Sequence, residues 1–353
     1  MPSPQRIIFC LYYLAVSIAF LVGSFWLLFS SQTVVTFLFS VCIILILWTP
    51  IIFILKGKIN KYFLIFLVIF FISLLPFWFE KNNSTYKSFK LVSLSDKNYT
   101  YNPLNIIQEK ELLSVGIKFA WFLWITNNEL NSFVTKLYDY EKNIEIDLPS
   151  QIPNAIINKK EQKYILYTPE SAKKDELIMV LHGSAGGFLF YQKFFKQFWD
   201  THNTQIVTPI FWWGNWFETG WINLIYNTYK DLVKKWNILP NTKVTLIWVS
   251  NGGTGLSRII ITDENNIFTK IVFISWVMES DIIQSKLFEK NAQEKSFYII
   301  HGMKDNNVPY QRFLDVEKNF PHLKTLIFEN GDHYILLNEQ EKIIQEINNI
   351  LQE

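Results

Sequence analysis

Cysteine is nearly absent: the 353-residue chain has two, Cys10 and Cys42, both inside apolar runs. The chain beyond Cys42 therefore has no disulfide, no thiolate metal site and no cysteine nucleophile. Charge is scarce as well, at 18% of residues against 50% hydrophobic and 17% aromatic, which is too apolar for an ordinary soluble domain. A net charge of +2 supplies no basic surface of nucleic-acid strength, so that class of partner is excluded. There are five histidines, and no cluster of possible ligands has metal-binding spacing. Neither a metal nor another cofactor is expected.

The apolar excess is concentrated at one end. Residues 1–80 carry only five charged side chains, Arg6, Lys56, Lys58, Lys61 and Glu80. Between them lie three apolar runs, 7–30, 34–55 and 62–79. About 20 helical residues cross a hydrocarbon core of about 30 Å, so these runs predict three transmembrane helices surrounded by lipid. A cleaved signal peptide fits the first run less well, because no small-x-small site follows it and two more spans do. The positive-inside rule puts the N-terminus and the Lys56–Lys61 turn in the cytoplasm. The expectation is a multi-pass membrane protein whose C-terminal domain lies on the non-cytoplasmic side.

One segment bears on that count. Residues 112–126 (LLSVGIKFAWFLWIT) are apolar but short, and Lys118 interrupts them. This length suits an interfacial or docking helix within a membrane-proximal linker, 81–158, better than a full span. A fourth crossing there would return the C-terminal domain to the cytoplasm.

Residues 159–353 have a different texture. Short apolar runs at Lys163–Tyr167, Leu177–Leu181, Gln205–Phe211, Lys243–Trp248, Lys270–Ser275, Ser296–Ile300 and Lys324–Phe328 read as strands. Most are continuous rather than alternating, as in strands covered on both faces. Between them, Trp221–Trp236 repeats its apolar residues at helical spacing. A final helix carries Ile343, Ile344, Ile347, Ile350 and Leu351 on one stripe, with Asn338 as its expected cap. Strands alternating with helices predict an α/β domain built on a doubly wound, mainly parallel sheet, with sites at the strands' C-terminal ends.

Four motifs fall at those ends. Val244-Thr-Leu-Ile-Trp-Val-Ser250-Asn-Gly-Gly253 runs from a strand into a serine, two glycines and a helix. A serine hydroxyl reacts only when it is exposed, aimed and beside a base, and a tight strand–turn–helix achieves this. The next helix's N-terminus favours developing negative charge. Ser296-Phe-Tyr-Ile-Ile-His-Gly-Met-Lys-Asp305-Asn-Asn-Val-Pro309 ends a strand in a loop presenting an acid. Asn330-Gly-Asp-His333 follows the last strand and presents an imidazole. In the order Ser, Asp, His, His333 would take the proton of Ser250 and Asp305 would orient the imidazole. Leu181-His-Gly-Ser-Ala-Gly-Gly187 is the fourth motif. Its Ser184 N–H and the Asn251 N–H are the candidate oxyanion donors, which leaves His182 a structural role.

These motifs resemble the α/β-hydrolase family over roughly the last 195 residues. The His-Gly loop, Ser-Asn-Gly-Gly and His-Gly-x-x-Asp-x-x-Val-Pro are most similar to its esterase, polyester-depolymerase and dienelactone-hydrolase-like branches. Trp248 departs from the pattern, because the family usually has a small residue two before the nucleophile.

Each site residue also has a plain alternative: Ser250 as a helix cap, Asp305 as a turn residue, His333 as a satisfied surface histidine. Asp332 and Asp281 are substitute acids, while His202, His301 and His322 read as structural or exposed. The aromatic stretch Phe211–Trp221 places Trp212, Trp213 and Trp216 near the expected mouth. There they would form a substrate wall, ordinary core or a membrane-interface contact. The resemblance implies a serine hydrolase cleaving a carboxylic ester, and the membrane tether and aromatic wall suggest a lipid, acylated glycan or other envelope-associated ester as substrate. A serine peptidase, an acyltransferase and a catalytically silent scaffold remain alternatives.

Overall fold

The computed structural model describes residues 89–94, 132, 136, 162–183, 194–195, 202–211, 220–235, 237–250, 253–320 and 323–353. The three expected transmembrane runs, the 112–126 segment, Ser184, Asn251, Trp212, Trp213 and Trp216 lie outside them. Among the described residues, no helix is long and apolar enough to cross a membrane. Contacts divide the chain into two compact units, Met1–Ser84 with Pro103–Ser150, and Thr85–Asn102 with Gln151–Glu353.

The second unit is organised by eight strands: β1 (Phe89–Ser93), β2 (Lys163–Tyr167), β3 (Lys173–Leu181), β4 (Thr204–Ile210), β5 (Lys243–Val249), β6 (Phe268–Ile274), β7 (Ser296–Gly302) and β8 (Lys324–Phe328). Their order across the sheet is β1-β2-β4-β3-β5-β6-β7-β8. The pairs β1/β2 and β2/β4 are antiparallel, and every later pair is parallel. The mainly parallel sheet expected from the strand–helix alternation is present. The chain steps from β3 to β4 on one side and then to β5 on the other. This reversal leaves the crevice at the C-terminal ends of β3 and β5 where open sheets bind ligands.

Seven strands coincide with the apolar runs; six of them have a buried stretch, which demands continuous apolar sequence, while β8 is only partly buried. In β3 only Leu177–Leu181 is buried and Lys173–Glu176 is exposed, so its first half has no apolar signal. Strand β1 lies in the stretch expected to be linker. FKLVS is a five-residue antiparallel edge strand in a polar neighbourhood, too short to show a period.

Helices α1 (Trp221–Lys234), α2 (Gly253–Thr262), α3 (Ser280–Ile283), α4 (Lys286–Ala292), α5 (Tyr310–Asn319), α6 (Ile335–Asn338) and α7 (Gln340–Gln352) accompany these strands. One face of the sheet, with Leu177, Met179, Leu246, Trp248, Phe273 and Ile299, shares a core with Ile225 and Leu232 of α1 and with Leu256 and Ile259 of α2. On the other face, Tyr298 donates its hydroxyl proton to Glu353, and Lys270 donates to the Leu351 carbonyl of α7. The sheet is therefore covered on both sides. Below it, the buried Lys295 ammonium donates to Asp263, to the Asn266 side chain and to the Phe268 carbonyl.

One local expectation needs correction. Asn338 does not cap α7; it ends α6, its amide bonds Asp332, and Glu339 takes the N-cap position without a side-chain cap. Trp248, the residue that departs from the family pattern, faces the core rather than the turn. It is fully buried and meets Trp221 edge-on, with ring centroids 5.8 Å apart at 83°. Gly255 makes room for it, since a Cβ there would lie 2.5 Å from the Trp248 ring. Replacing a helical glycine with alanine ordinarily stabilises by about 1 kcal/mol. Gly255→Ala is expected to do the opposite, with a lower denaturation midpoint than wild type; a raised midpoint would refute this account of the Trp248 packing.

Candidate active site

The site begins with a backbone angle. Ser250 directly follows β5 and has φ +59°, the left-handed region that non-glycine residues enter at a cost of about 1–2 kcal/mol. The turn stops the strand abruptly and leaves Ser250 partly exposed, with α2 starting three residues later.

The hydroxyl meets the imidazole expected from sequence. Ser250 Oγ is 2.7 Å from His333 Nε2, and His333 Nδ1 is 2.8 Å from Asp305 Oδ2. The fully buried carboxylate fixes the tautomer: Nδ1–H donates to Asp305, and Nε2 is left to accept the Ser250 proton. The second oxygen of Asp305 accepts the Asn307 and Val308 N–H groups, each at 2.8 Å. The acid is thus held by three N–H donors. Such a chain can move a proton from hydroxyl to imidazole and stabilise the resulting cation.

The substitute acids are placed elsewhere. Asp332 accepts from the Tyr334 N–H and the Asn338 amide, and Asp281 lies exposed in α3. His202 bonds Asn348. His301 is buried beside the acid: its Nε2–H donates to the Val308 carbonyl, and its Nδ1 is 4.0 Å from Asp305 Oδ2. Burial holds its pKa below the ordinary histidine value despite that carboxylate.

Two glycines bring acid and base loops together. A Cβ on Gly302 would lie 2.3 Å from the Gly331 carbonyl oxygen, and Lys304 N–H donates to that same carbonyl at 2.9 Å. Nothing bulkier fits where the loop carrying Asp305 passes the loop carrying His333. Gly302 and Gly331 stand in the sequence motifs, but only the structure shows that they touch.

Comparison with known proteins finds likeness in structure alone. No protein-family model matches the chain, and no curated protein matches it by sequence. The chain is similar to a ferulic acid esterase at 13% identity, covering 54% of this chain and 93% of that one with a TM-score of 0.44. It is also similar to an S-formylglutathione hydrolase from Staphylococcus aureus (16% identity, 54% and 89% covered, TM-score 0.42). A third is a poly(3-hydroxybutyrate) depolymerase from Bordetella parapertussis (13% identity, 52% and 83% covered, TM-score 0.43).

On the opposite side of the crevice, His182 has the structural role expected of it. Its Nδ1–H donates to the Gly183 carbonyl at 2.9 Å, and its Nε2 accepts the Phe211 N–H at 3.3 Å. It thus ties the end of β3 to the end of β4. The bridge requires a neutral ring, and complete burial pushes the pKa down to about 4. Because the folded value lies below the unfolded one, the unfolded chain binds more protons between them. This contribution, up to roughly 3 kcal/mol, is full above about pH 6.5 and lost as the pH falls toward 4. Glutamine can keep both bonds without titrating. His182→Gln is therefore expected to reduce the slope of stability against pH in denaturant titrations between pH 4 and 7, and an unchanged slope would exclude the bridge.

Proposed function

We propose that this chain is a membrane-anchored serine hydrolase that cleaves a carboxylic ester through an acyl-enzyme on Ser250. One observation carries the reading: the unbroken hydrogen-bonded series from Ser250 Oγ through His333 to the buried Asp305, starting from a serine at φ +59°. As Oγ attacks the ester carbonyl carbon, His333 Nε2 takes its proton, and Asp305 balances the imidazolium charge. The tetrahedral oxyanion is received by the N–H groups of Ser184 and Asn251. Collapse of that intermediate expels the alcohol, which takes the proton from His333. Water, deprotonated by the same imidazole, then attacks the acyl carbonyl, and the acid leaves with Ser250 restored.

The remainder of the proposal comes from sequence. The runs 7–30, 34–55 and 62–79 anchor the chain in lipid and place the catalytic domain on the non-cytoplasmic side. Trp212, Trp213 and Trp216 form an apolar wall for a lipid or envelope-associated acyl chain.

The test is turnover of 4-nitrophenyl esters of increasing chain length by the detergent-solubilised protein, against peptide anilides as controls. Burst kinetics and a preference for esters are expected. Ser250→Ala, His333→Ala and Asp305→Asn should each lower kcat by about a thousandfold or more. Folded wild-type protein that hydrolyses no ester, or variants that match wild type, would end the proposal. In sealed spheroplasts, external protease should abolish the activity; protection would contradict the orientation.

A further inference from the structure

The carboxyl ends of β6 and β7 hold polar groups that the proposed chemistry does not use. Ser275, 1% exposed, directly follows β6 and has left-handed backbone geometry with φ +54°. Its N–H donates to the Ile300 carbonyl at 2.9 Å, but its buried hydroxyl has no hydrogen-bond partner. The buried indole N–H of the next residue, Trp276, also has none. Over the Trp276 ring, 5.2 Å from its centroid, lies the guanidinium of Arg312 in the first turn of α5. Arg312 is exposed and meets no carboxylate among the described residues. Buried polar groups are nearly always satisfied, so two unpartnered ones in adjacent residues, with an exposed guanidinium over one of them, call for a partner.

Their position gives that partner a role. Val249 and Ile274 are register partners in β5 and β6, so Ser250 and Ser275 leave the sheet side by side. Neighbouring strands are about 4.8 Å apart, which puts the Trp276 backbone within about 9 Å of Ser250. Both strand ends turn through positive φ at the same level, one carrying the nucleophile and the other the open donors.

We propose that Ser275, Trp276 and Arg312 form a subsite for an anionic oxygen group, a carboxylate or a phosphate, carried by the ester substrate. The inference rests on the esterase reading above. Two of these side chains supply donors without a competing acceptor, and the Ser275 hydroxyl can donate a third bond. The guanidinium lies over the indole ring and is exposed, so its N–H groups can pair with a carboxylate or phosphate. A neutral alkyl chain would leave all of these donors unmet.

The test compares charged esters with neutral ones of similar size, in the full chain in detergent. One pair is 4-nitrophenyl hydrogen succinate against 4-nitrophenyl butyrate, with the anion on the acyl side. A second set puts it on the alcohol side: O-butyryl glycolate and O-butyryl glycol phosphate against the butyryl ester of glycol methyl ether. The expected result is a charged-to-neutral ratio of kcat/KM of about tenfold or more in at least one comparison. The comparison that shows it identifies the bearing side and the anion. Arg312→Gln should collapse that ratio to about one, and Trp276→Phe, which keeps the ring and loses the N–H, should lower it severalfold. Arg258→Gln, on α2, should leave it unchanged. A wild-type ratio near one in every comparison, or a ratio unmoved by both Arg312→Gln and Trp276→Phe, overturns the subsite. Wild-type protein that turns over none of these esters overturns the esterase reading, and the subsite with it.

Discussion

The site depends on the single left-handed residue at the end of β5. Without φ +59° at Ser250 the strand would continue, and its hydroxyl would be turned away from His333. A strained residue persists only where its surroundings over-determine it. Strand β5 is locked in register on both sides, by β3 and by β6, up to the last residues before the turn. Trp248, two residues earlier, is fixed in the core against Trp221 and over Gly255. The bulky residue that departs from the usual small one thus anchors the segment from below. It leaves the turn itself free.

Asp305 and His333 are held by a different device. Neither Asp305 nor His333 is on a strand; each sits on a loop beyond β7 or β8. Their separation is set by the close passage of Gly302 and Gly331, and by N–H donors at both oxygens of Asp305. A rigid strand delivers Ser250, while tightly packed loops deliver His333 and Asp305. The unused donors at Ser275, Trp276 and Arg312 lie between the two.

Much of this was legible in the sequence, and the reasons are physical. Strands buried on both faces are continuous apolar runs, so six of the eight could be read on that ground and β8 from its short apolar end, and the chain order of Ser250, Asp305 and His333 follows from which strand each one follows. Strand β1 could not be read, because five residues at an antiparallel edge carry no period. The Asn338 cap was misassigned because a capping pattern does not reveal that Asp332 already holds the side chain. His301 reads in the sequence as structural or exposed, and only folding buries it 4.0 Å from Asp305. Ser275, Trp276 and Arg312 had no signature at all: Arg312 is 36 residues away from Trp276 in the chain, and one cation–π contact joins them.

The proposed chemistry requires that Ser250 be a nucleophile activated by His333. The most direct measurement is intact mass and peptide mapping of the solubilised chain after exposure to a fluorophosphonate. The account predicts a single phosphonyl adduct, on the peptide containing Ser250. Folded protein that remains unmodified, or that carries the adduct on another residue, would contradict it.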